Sequence, residues 1–372
     1  MTLEQLLNEP VAAARRREQT AFGTGSKDKI VLFGAGVLGR KVLGALRRHH
    51  VEALAFIDND EALQGMQIEG LQVLSPGEAV QRFGTNAIFL ITIFRGMGDA
   101  GMAFRERWLK TLGCRRVMNF LPVAWKYASE LLPHYGAALP SEILAAAPEI
   151  KAVAAGWSDE RSREVFRGQL LWRLRGDFSA VPAQAADQYF PRDLIAPRSD
   201  EAFVDGGAYD GDTLRTLGRN FSRAWAIEPN PFHAARLRSA GDPRVTVIEC
   251  ALGAEPGDAA FRADAGVASA LSASGSTQVR TDTLDHLLEG QSPSFLKLDI
   301  EGAEQAALHG GREMLGRAKP LVAVCLYHRP DDLWKIPLFL RRTLPDHRLF
   351  LRAHQNDGYE LVAYAVPPER SP

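Results

Sequence analysis

The segment Phe203-Val204-Asp205-Gly206-Gly207-Ala208-Tyr209-Asp210-Gly211-Asp212-Thr213 sets the tightest limit on what this chain can fold into. An apolar run ends in an acid, glycines follow, and a polar helix start closes the turn. Glycines so placed let backbone pass close to a ligand or adopt positive φ. Seventeen residues beyond Gly211 a second apolar run ends in Glu228, within Ala226-Ile227-Glu228-Pro229-Asn230. Strand, glycine turn, helix and strand make a βαβ unit. A carboxylate at the tip of the second strand is placed to accept hydrogen bonds from both ribose hydroxyls of a nucleoside. Asp205 at the start of the turn would repel a pyrophosphate, which helix N-termini otherwise favour, and suits a ligand with an ammonium group. S-adenosylmethionine is such a ligand: it has a ribose, an amino-acid end and a sulfonium, and no phosphate. Taken singly, Asp205 and Asp212 could be helix caps and Glu228 a solvated strand end; their order and spacing together favour the nucleoside site.

A second glycine turn lies upstream. Gly34-Ala35-Gly36-Val37-Leu38-Gly39 joins an apolar run, Lys29 to Phe33, to a helix over Arg40 to Arg48, and Asp58 follows 22 residues beyond Gly36. G-x-G-x-x-G in that context predicts NAD or another nucleotide, such as a nucleotide-sugar, with Asp58 on a ribose. The alternative is that Gly34, Gly36 and Gly39 only permit tight strand–helix packing. No oxidoreductase catalytic pair follows them.

A third cluster, Phe295-Leu296-Lys297-Leu298-Asp299-Ile300-Glu301-Gly302-Ala303-Glu304, ends a strand in Lys297 and Asp299 and opens a helix with acids. In doubly wound sheets ligands lie at strand C-termini beside the switch point. Asp299 and Glu301 are therefore expected near Asp205, with Asp299 orienting the transferring methyl or an acceptor hydroxyl. Glu304 reads as a helix-dipole residue. His328, in Tyr327-His328-Arg329-Pro330, is the first candidate for a base or acceptor-orienting group, with His354 beside Arg352 a weaker one. Asp299, Glu301 and His328 could ligate a divalent ion, but their spacing does not demand one, and no metal is expected.

The pattern along the chain divides it into an N-terminal helix and loop (1–28), a Rossmann-like α/β domain (29–130), a helical connector (131–200) and a second α/β domain (201–367). Strands of the first α/β domain are expected at Lys29–Phe33, Ala53–Ile57, Ala87–Phe94 and Arg116–Phe120. In the connector Val165, Leu170, Leu171 and Leu174 recur at helical spacing after the candidate caps Ser158 and Asp159. The second domain is expected to hold seven strands, at 202–205, 224–228, 245–249, 295–299, 321–326, 348–352 and 361–365. The loop between the last two is too short for a helical crossover, so they must run antiparallel. With 44 Lys and Arg against 45 Asp and Glu the net charge is −1, which argues against bulk binding to nucleic acid. No apolar run is long enough to span a bilayer, and no signal peptide is visible at the N-terminus. Three dispersed cysteines, Cys114, Cys250 and Cys325, suggest neither a disulfide framework nor a zinc site, so a cytoplasmic protein is expected. Oligomeric state is open.

The stretches FVDGGAYDGDT (203–213), AIEPNP (226–231), CALG (250–253), LKLDIEGAE (296–304) and CLYHRPDDLWKIPLFL (325–340) resemble the FkbM-type S-adenosylmethionine-dependent methyltransferases. QYFPRDLI (188–195) is similar to the lead-in of longer members. The resemblance implies a class I methyltransferase-like seven-stranded doubly wound sheet with an antiparallel last strand. It implies Asp205, Gly206, Gly207 and Gly211 around the methionine part, Glu228 on the ribose, and Ala251 with Leu252 on the adenine. It implies methyl transfer to a hydroxyl, commonly of a saccharide or a related natural product. Tyr209-Asp210 departs from the small or Asn residue usual in that loop. The upstream domain is similar, more loosely, to Rossmann-like domains that bind nucleotide-sugars. Two other classes stay open: an NAD-dependent oxidoreductase built on the upstream turn, and a non-catalytic ligand-binding protein. The serine-rich stretch with Ser269, Ser272 and Ser274 reads as a lid over the acceptor.

Overall fold

A computed structural model of the chain describes residues 1–23, 29–94, 100–182, 184–262, 270–271, 275 and 277–370. The chain forms two compact units. Unit 1 takes Met1–Pro148, Glu164–Ala183 and Gln355–Tyr359; unit 2 takes Glu149–Arg163, Gln184–His354 and Glu360–Pro372. The stretch read as a connector is thus shared out between them.

Unit 1 holds a six-stranded sheet of β1 (Lys29–Phe33), β2 (Ala53–Ile57), β3 (Gln67–Ile68), β4 (Leu71–Leu74), β5 (Ala87–Ile91) and β6 (Arg116–Asn119), in the order β3-β4-β2-β1-β5-β6. All pairs except β3–β4 are parallel. β1 is buried over four of its five residues and β5 over all five, as befits strands covered on both faces. The helix Val37–Arg48 lays Leu38, Val42, Leu43 and Leu46 into the core. A second helix, Pro76–Phe83, begins at a capping box of Ser75 and Glu78. The N-terminal segment is built into this unit: Leu6, Leu7 and Phe22 are buried, and the Glu18 carboxylate accepts from Ser141 N at 2.6 Å and Ser141 Oγ at 3.1 Å.

Unit 2 holds the seven-stranded sheet: β7 (Ala202–Gly206), β8 (Arg223–Ile227), β9 (Val245–Ile248), β14 (Phe295–Leu298), β15 (Leu321–Cys325), β16 (Arg348–Ala353) and β17 (Leu361–Val366), in the order β16-β17-β15-β14-β7-β8-β9. β17 runs antiparallel to both of its neighbours and the other pairings are parallel. This is a class I methyltransferase-like sheet. The chain runs outward from β7 through β8 to β9, then returns to β14 on the other side of β7. That reversal makes the β7–β14 junction the switch point, where strand ends splay and leave a crevice.

Between β9 and β14 the structure adds a second, four-stranded sheet that sequence periodicity does not announce. β10 (Ala251–Leu252), β11 (Gly257–Arg262), β12 (Ala270–Leu271) and β13 (Thr277–Asp282) pair in the order β10-β13-β11-β12. Ala251, Phe261 and Val279 form its small core. In the serine-rich stretch read as a lid, residues 270–271 are strand, whereas Ser269, Ser272 and Ser274 lie outside the described residues.

The C-terminal hairpin corrects one expectation. Arg352 is buried and its guanidinium is spent on Asp159 at 2.6 Å and Asp193 at 2.8 Å. His354 lies within hydrogen-bond distance of Ala185 O at 3.1 Å and Tyr364 Oη at 2.8 Å. Both side chains are buried. Burial lowers His354 in unit 2 and His134 in unit 1 to about 4 each. Between pH 6.5 and 4 the unfolded chain then binds more protons than the folded one, so stability falls as pH falls through that window. The thermal midpoint is expected to drop from pH 7 to pH 5, and to drop less in His134→Gln/His354→Gln; equal slopes would contradict it.

Candidate active site

The glycine turn is pinned from below by a lysine. Asp205, at the end of β7, is wholly buried, and Lys297 Nζ from neighbouring β14 lies 3.0 Å from its Oδ1. The same ammonium donates to Gly206 O at 3.2 Å and Gly207 O at 2.8 Å. The Asp205 contact is close but off the line of a hydrogen bond, so neither Asp205 oxygen has a hydrogen-bond partner among the described residues. Burial pushes Asp205 up to about 6 against the pull of Lys297. Burial also works against the Lys297 charge, but Asp205 and Asp299 outweigh it and hold that pKa above the ordinary lysine value. Both groups are therefore charged at neutral pH. The Asp205 carboxylate faces this ammonium, so its part is to fix the turn. Lys297 is a site residue that sequence reading passed over as a strand residue.

Gly207 cannot be replaced. Its φ is +79°, and a Cβ there would stand 1.9 Å from Asp299 O. Gly206 is nearly as tight, with its Cβ position 3.0 Å from Leu252 Cδ1, which brings Leu252 against the turn; Ala251 belongs to the core of the small sheet. Gly211 has φ +84° at the start of the helix Asp212–Leu217. Gly207→Ala is expected to cost more than about 2 kcal/mol. Gly36→Ala, whose Cβ would meet nothing within 4 Å, should be close to neutral. Urea midpoints check the contrast, and equal shifts would refute it.

Glu228 closes the other side of the turn. It is 6% exposed and accepts from Tyr209 N at 2.9 Å and Asn230 N at 2.8 Å. Burial raises its pKa, with the two backbone donors opposing. A carboxylate has about four lone-pair sites, so two remain for hydroxyl donors.

On the β14 and β15 side lies an acidic nest around one imidazole. Asp299 accepts from Tyr189 Oη at 2.7 Å, lies 3.5 Å from Tyr327 Oη, and keeps 23% side-chain exposure. Tyr327 donates to Glu360 at 3.1 Å, and Gln188 donates to the other Glu360 oxygen. Burial opposes ionisation of Asp299, but Lys297 and His328 outweigh it and hold it below the usual carboxylate range. His328 Nδ1 is 2.8 Å from Glu304 Oε1, and Nε2 is 3.5 Å from Asp299 Oδ1 and 3.6 Å from Glu301 Oε2. Burial works against the imidazolium, yet Glu304, Asp299 and Glu301 push His328 up to about 10. Glu304, read from sequence as a helix-dipole residue, is completely buried and holds the imidazole; its spacing from Asp299 was visible but its partner was not. Tyr189 and Glu360 reach the site from distant parts of the chain, and Tyr189 also covers Lys297, whose Nζ sits 5.2 Å from the ring centroid.

Asp205, Gly206, Gly207, Gly211, Glu228, Leu252, Asp299 and His328 are thus all placed along or beside the β8–β7–β14–β15 strand ends. The acids outnumber the one buried lysine, a charge balance that disfavours a pyrophosphate. The methyltransferase FkbM domain family matches residues 205–361. The chain carries an FkbM-family methyltransferase domain. A crystal structure of methyltransferase FkbM from Methylobacillus flagellatus KT superposes with a TM-score of 0.76 at 21% identity, covering 96% of this chain and 99% of that one, and shares the fold of this chain. Residues 26–88 match the C2185-like N-terminal family. A stretch of 60 residues is 38% identical to UDP-N-acetylmuramoylalanine–D-glutamate ligase of Mycolicibacterium smegmatis; it spans 16% of this chain and 12% of that enzyme's length.

In unit 1, Gly34, Gly36, Gly39 and Asp58 also meet. A Cβ on Gly39 would stand 1.9 Å from Gly34 O, so these two glycines serve strand–helix packing. Asp58 accepts from Ala35 N at 2.9 Å and Asp60 N at 3.1 Å, closing the loop on itself.

Proposed function

We propose that the methyltransferase uses S-adenosylmethionine to methylate a hydroxyl oxygen of a saccharide or related natural product. The observation that carries the reading is Glu228: a nearly buried carboxylate beside a glycine turn that admits no side chain, with two acceptor sites to spare. Its capacity fits both hydroxyls of one ribose. The backbone of Gly206, Gly207 and Gly211 would lie against the methionine part, with Ala251 and Leu252 towards the adenine. The Asp205–Lys297 pair keeps the turn in the shape that binding needs, so no rearrangement has to be driven by the ligand. When bound, S-adenosylmethionine supplies an electrophilic methyl group on a sulfonium.

Asp299 and His328 form the acceptor end of the site. Tyr189 fixes the Asp299 carboxylate, and Glu304 fixes the imidazole, so both groups present a set geometry to an incoming hydroxyl. Orientation of this kind, with the Asp299 carboxylate to take the hydroxyl proton, contributes about 10²–10⁴-fold to such a reaction. His328→Ala is expected to cut turnover by about that factor and to leave S-adenosylmethionine affinity within about threefold, a difference under 1 kcal/mol. Undiminished turnover in a saccharide-hydroxyl assay would remove His328 from the acceptor end.

A second ligand in unit 1 is part of the same reading: a nucleotide or nucleotide-sugar at the Gly34–Gly39 turn with Asp58 on its ribose. The open space at Gly36 supports it. Titration with UDP-sugars and with NAD, repeated on Asp58→Ala, tests it and separates it from the dehydrogenase reading. Among the described residues no helix is long and apolar enough to cross a membrane. We place the protein in the cytoplasm, on the strength of three buried, unbridged cysteines.

A further inference from the structure

His328 is held in a way that the acceptor end does not require. Its side chain is 3% exposed, and Nε2 has no hydrogen-bond partner among the described residues although two carboxylates stand 3.5 and 3.6 Å away. Glu304 Oε1, which also accepts from Ile300 N at 2.9 Å, meets Nδ1 at 2.8 Å. That contact holds Nδ1 and turns Nε2 towards Asp299 and Glu301, where a bound cation would take the place of the Nε2 proton. A carboxylate that orients the far nitrogen of an imidazole is the usual support of a metal-ligating histidine.

We propose that His328 Nε2, Asp299 and Glu301 bind a divalent transition-metal ion, with Glu304 as the supporting carboxylate. Donor atoms on one such ion, each at about 2.0–2.2 Å, stand roughly 3 Å apart when adjacent. The two separations from His328 Nε2, 3.5 Å to Asp299 and 3.6 Å to Glu301, close to that with shifts of about half an ångström. One donor atom from each of Asp299, Glu304 and His328 already lies within 4.8 Å of the other two. One imidazole with carboxylates and no thiolate selects ions such as Mn²⁺, Co²⁺ or Zn²⁺ over Cu⁺. The partial exposure of Asp299 and Glu301, 23% and 24%, leaves the outer positions open to water or a ligand oxygen. There the ion would polarise an acceptor hydroxyl as a Lewis acid. That use rests on the methyltransferase reading above, whereas the binding itself does not.

The test is titration of the chelator-treated full chain with Co²⁺, followed by calorimetry and visible absorption, beside a separate titration with S-adenosylmethionine. One equivalent is expected, with affinity lowered at least about tenfold in His328→Gln and in Asp299→Asn, and about 10–100-fold in Glu304→Gln. No saturable binding in millimolar Co²⁺, or one-equivalent binding that both ligand variants retain, would overturn the site. Should a variant fail to fold, spin-echo modulation of Mn²⁺ on the wild-type protein decides: coupling to a directly bound imidazole nitrogen supports the site, and its absence overturns it. Retained S-adenosylmethionine binding without metal binding would sink this inference alone.

Discussion

Lys297→Met is expected to destabilise unit 2 by about 3–5 kcal/mol, the cost of leaving a buried charge without its partner. Asp205 is fully buried, Lys297 is its ion-pair partner at 3.0 Å, and neither carboxylate oxygen has a hydrogen bond to fall back on. The variant also strips Gly206 O and Gly207 O of their ammonium donor. Calorimetric unfolding should show the transition of unit 2 falling by about 6–20 °C, at roughly 2–4 °C per kcal/mol for a unit of this size. The loss carries a pH signature. Asp205 already sits at about 6 with the ammonium in place, and without it the carboxyl is held higher still. A raised acid is protonated in the folded state at low pH, and its stabilising contribution is lost as pH rises through the folded pKa. The gap between wild type and Lys297→Met should therefore widen from pH 5 to pH 8. Adding Asp205→Asn should recover a large part of it, because no buried charge is then left over. A gap that does not change with pH, and that the second substitution does not relieve, would show that the pair is not what holds the turn.

Glu228→Ala should abolish most of the affinity for S-adenosylmethionine with little change in fold. Two hydrogen bonds from hydroxyls to a carboxylate are worth about 1.5–3 kcal/mol each, so their loss weakens binding by at least about 100-fold. Glu228→Gln keeps one acceptor oxygen and should fall between. The backbone donors of Tyr209 and Asn230 lose their acceptor in the alanine variant and are left beside a small cavity. Part of the effect is therefore loosening of the turn, which the glutamine variant separates from loss of the ribose contact. Equal, small losses in both would remove Glu228 from the ligand site.

The parts of this architecture that were legible in the sequence are those written in short-range pattern. Runs such as Ala87–Ile91 and Leu321–Cys325 are apolar throughout because parallel strands are covered on both faces, and they sit where periodicity put them. The hairpin of β16 and β17 followed from loop length alone. β3, β10 and β12, at two residues each, are too short for any periodic signal, and the small sheet that β10 and β12 help define went unseen. In the site, Asp205, Glu228 and Asp299 could be found because strand tips are marked by the end of an apolar run. Their partners could not. Tyr189 lies 110 positions from Asp299 and meets it only through the folding of unit 2. Glu304 and His328 are 24 positions apart, and nothing local distinguishes Glu304 from a residue that serves a helix dipole. His354 and Arg352 show the reverse error: strand-end position suggested a crevice, but tertiary contacts with Ala185, Asp159 and Asp193 consumed both groups.

The most direct test of the account is calorimetric titration of the full chain and of Glu228→Ala with S-adenosylmethionine. Saturable, one-to-one binding to the wild type that weakens by at least about 100-fold in the variant is the expected result. No binding to the wild type, or binding that the variant keeps, would contradict the assignment of the β7–β8 strand ends as the methyl-donor site.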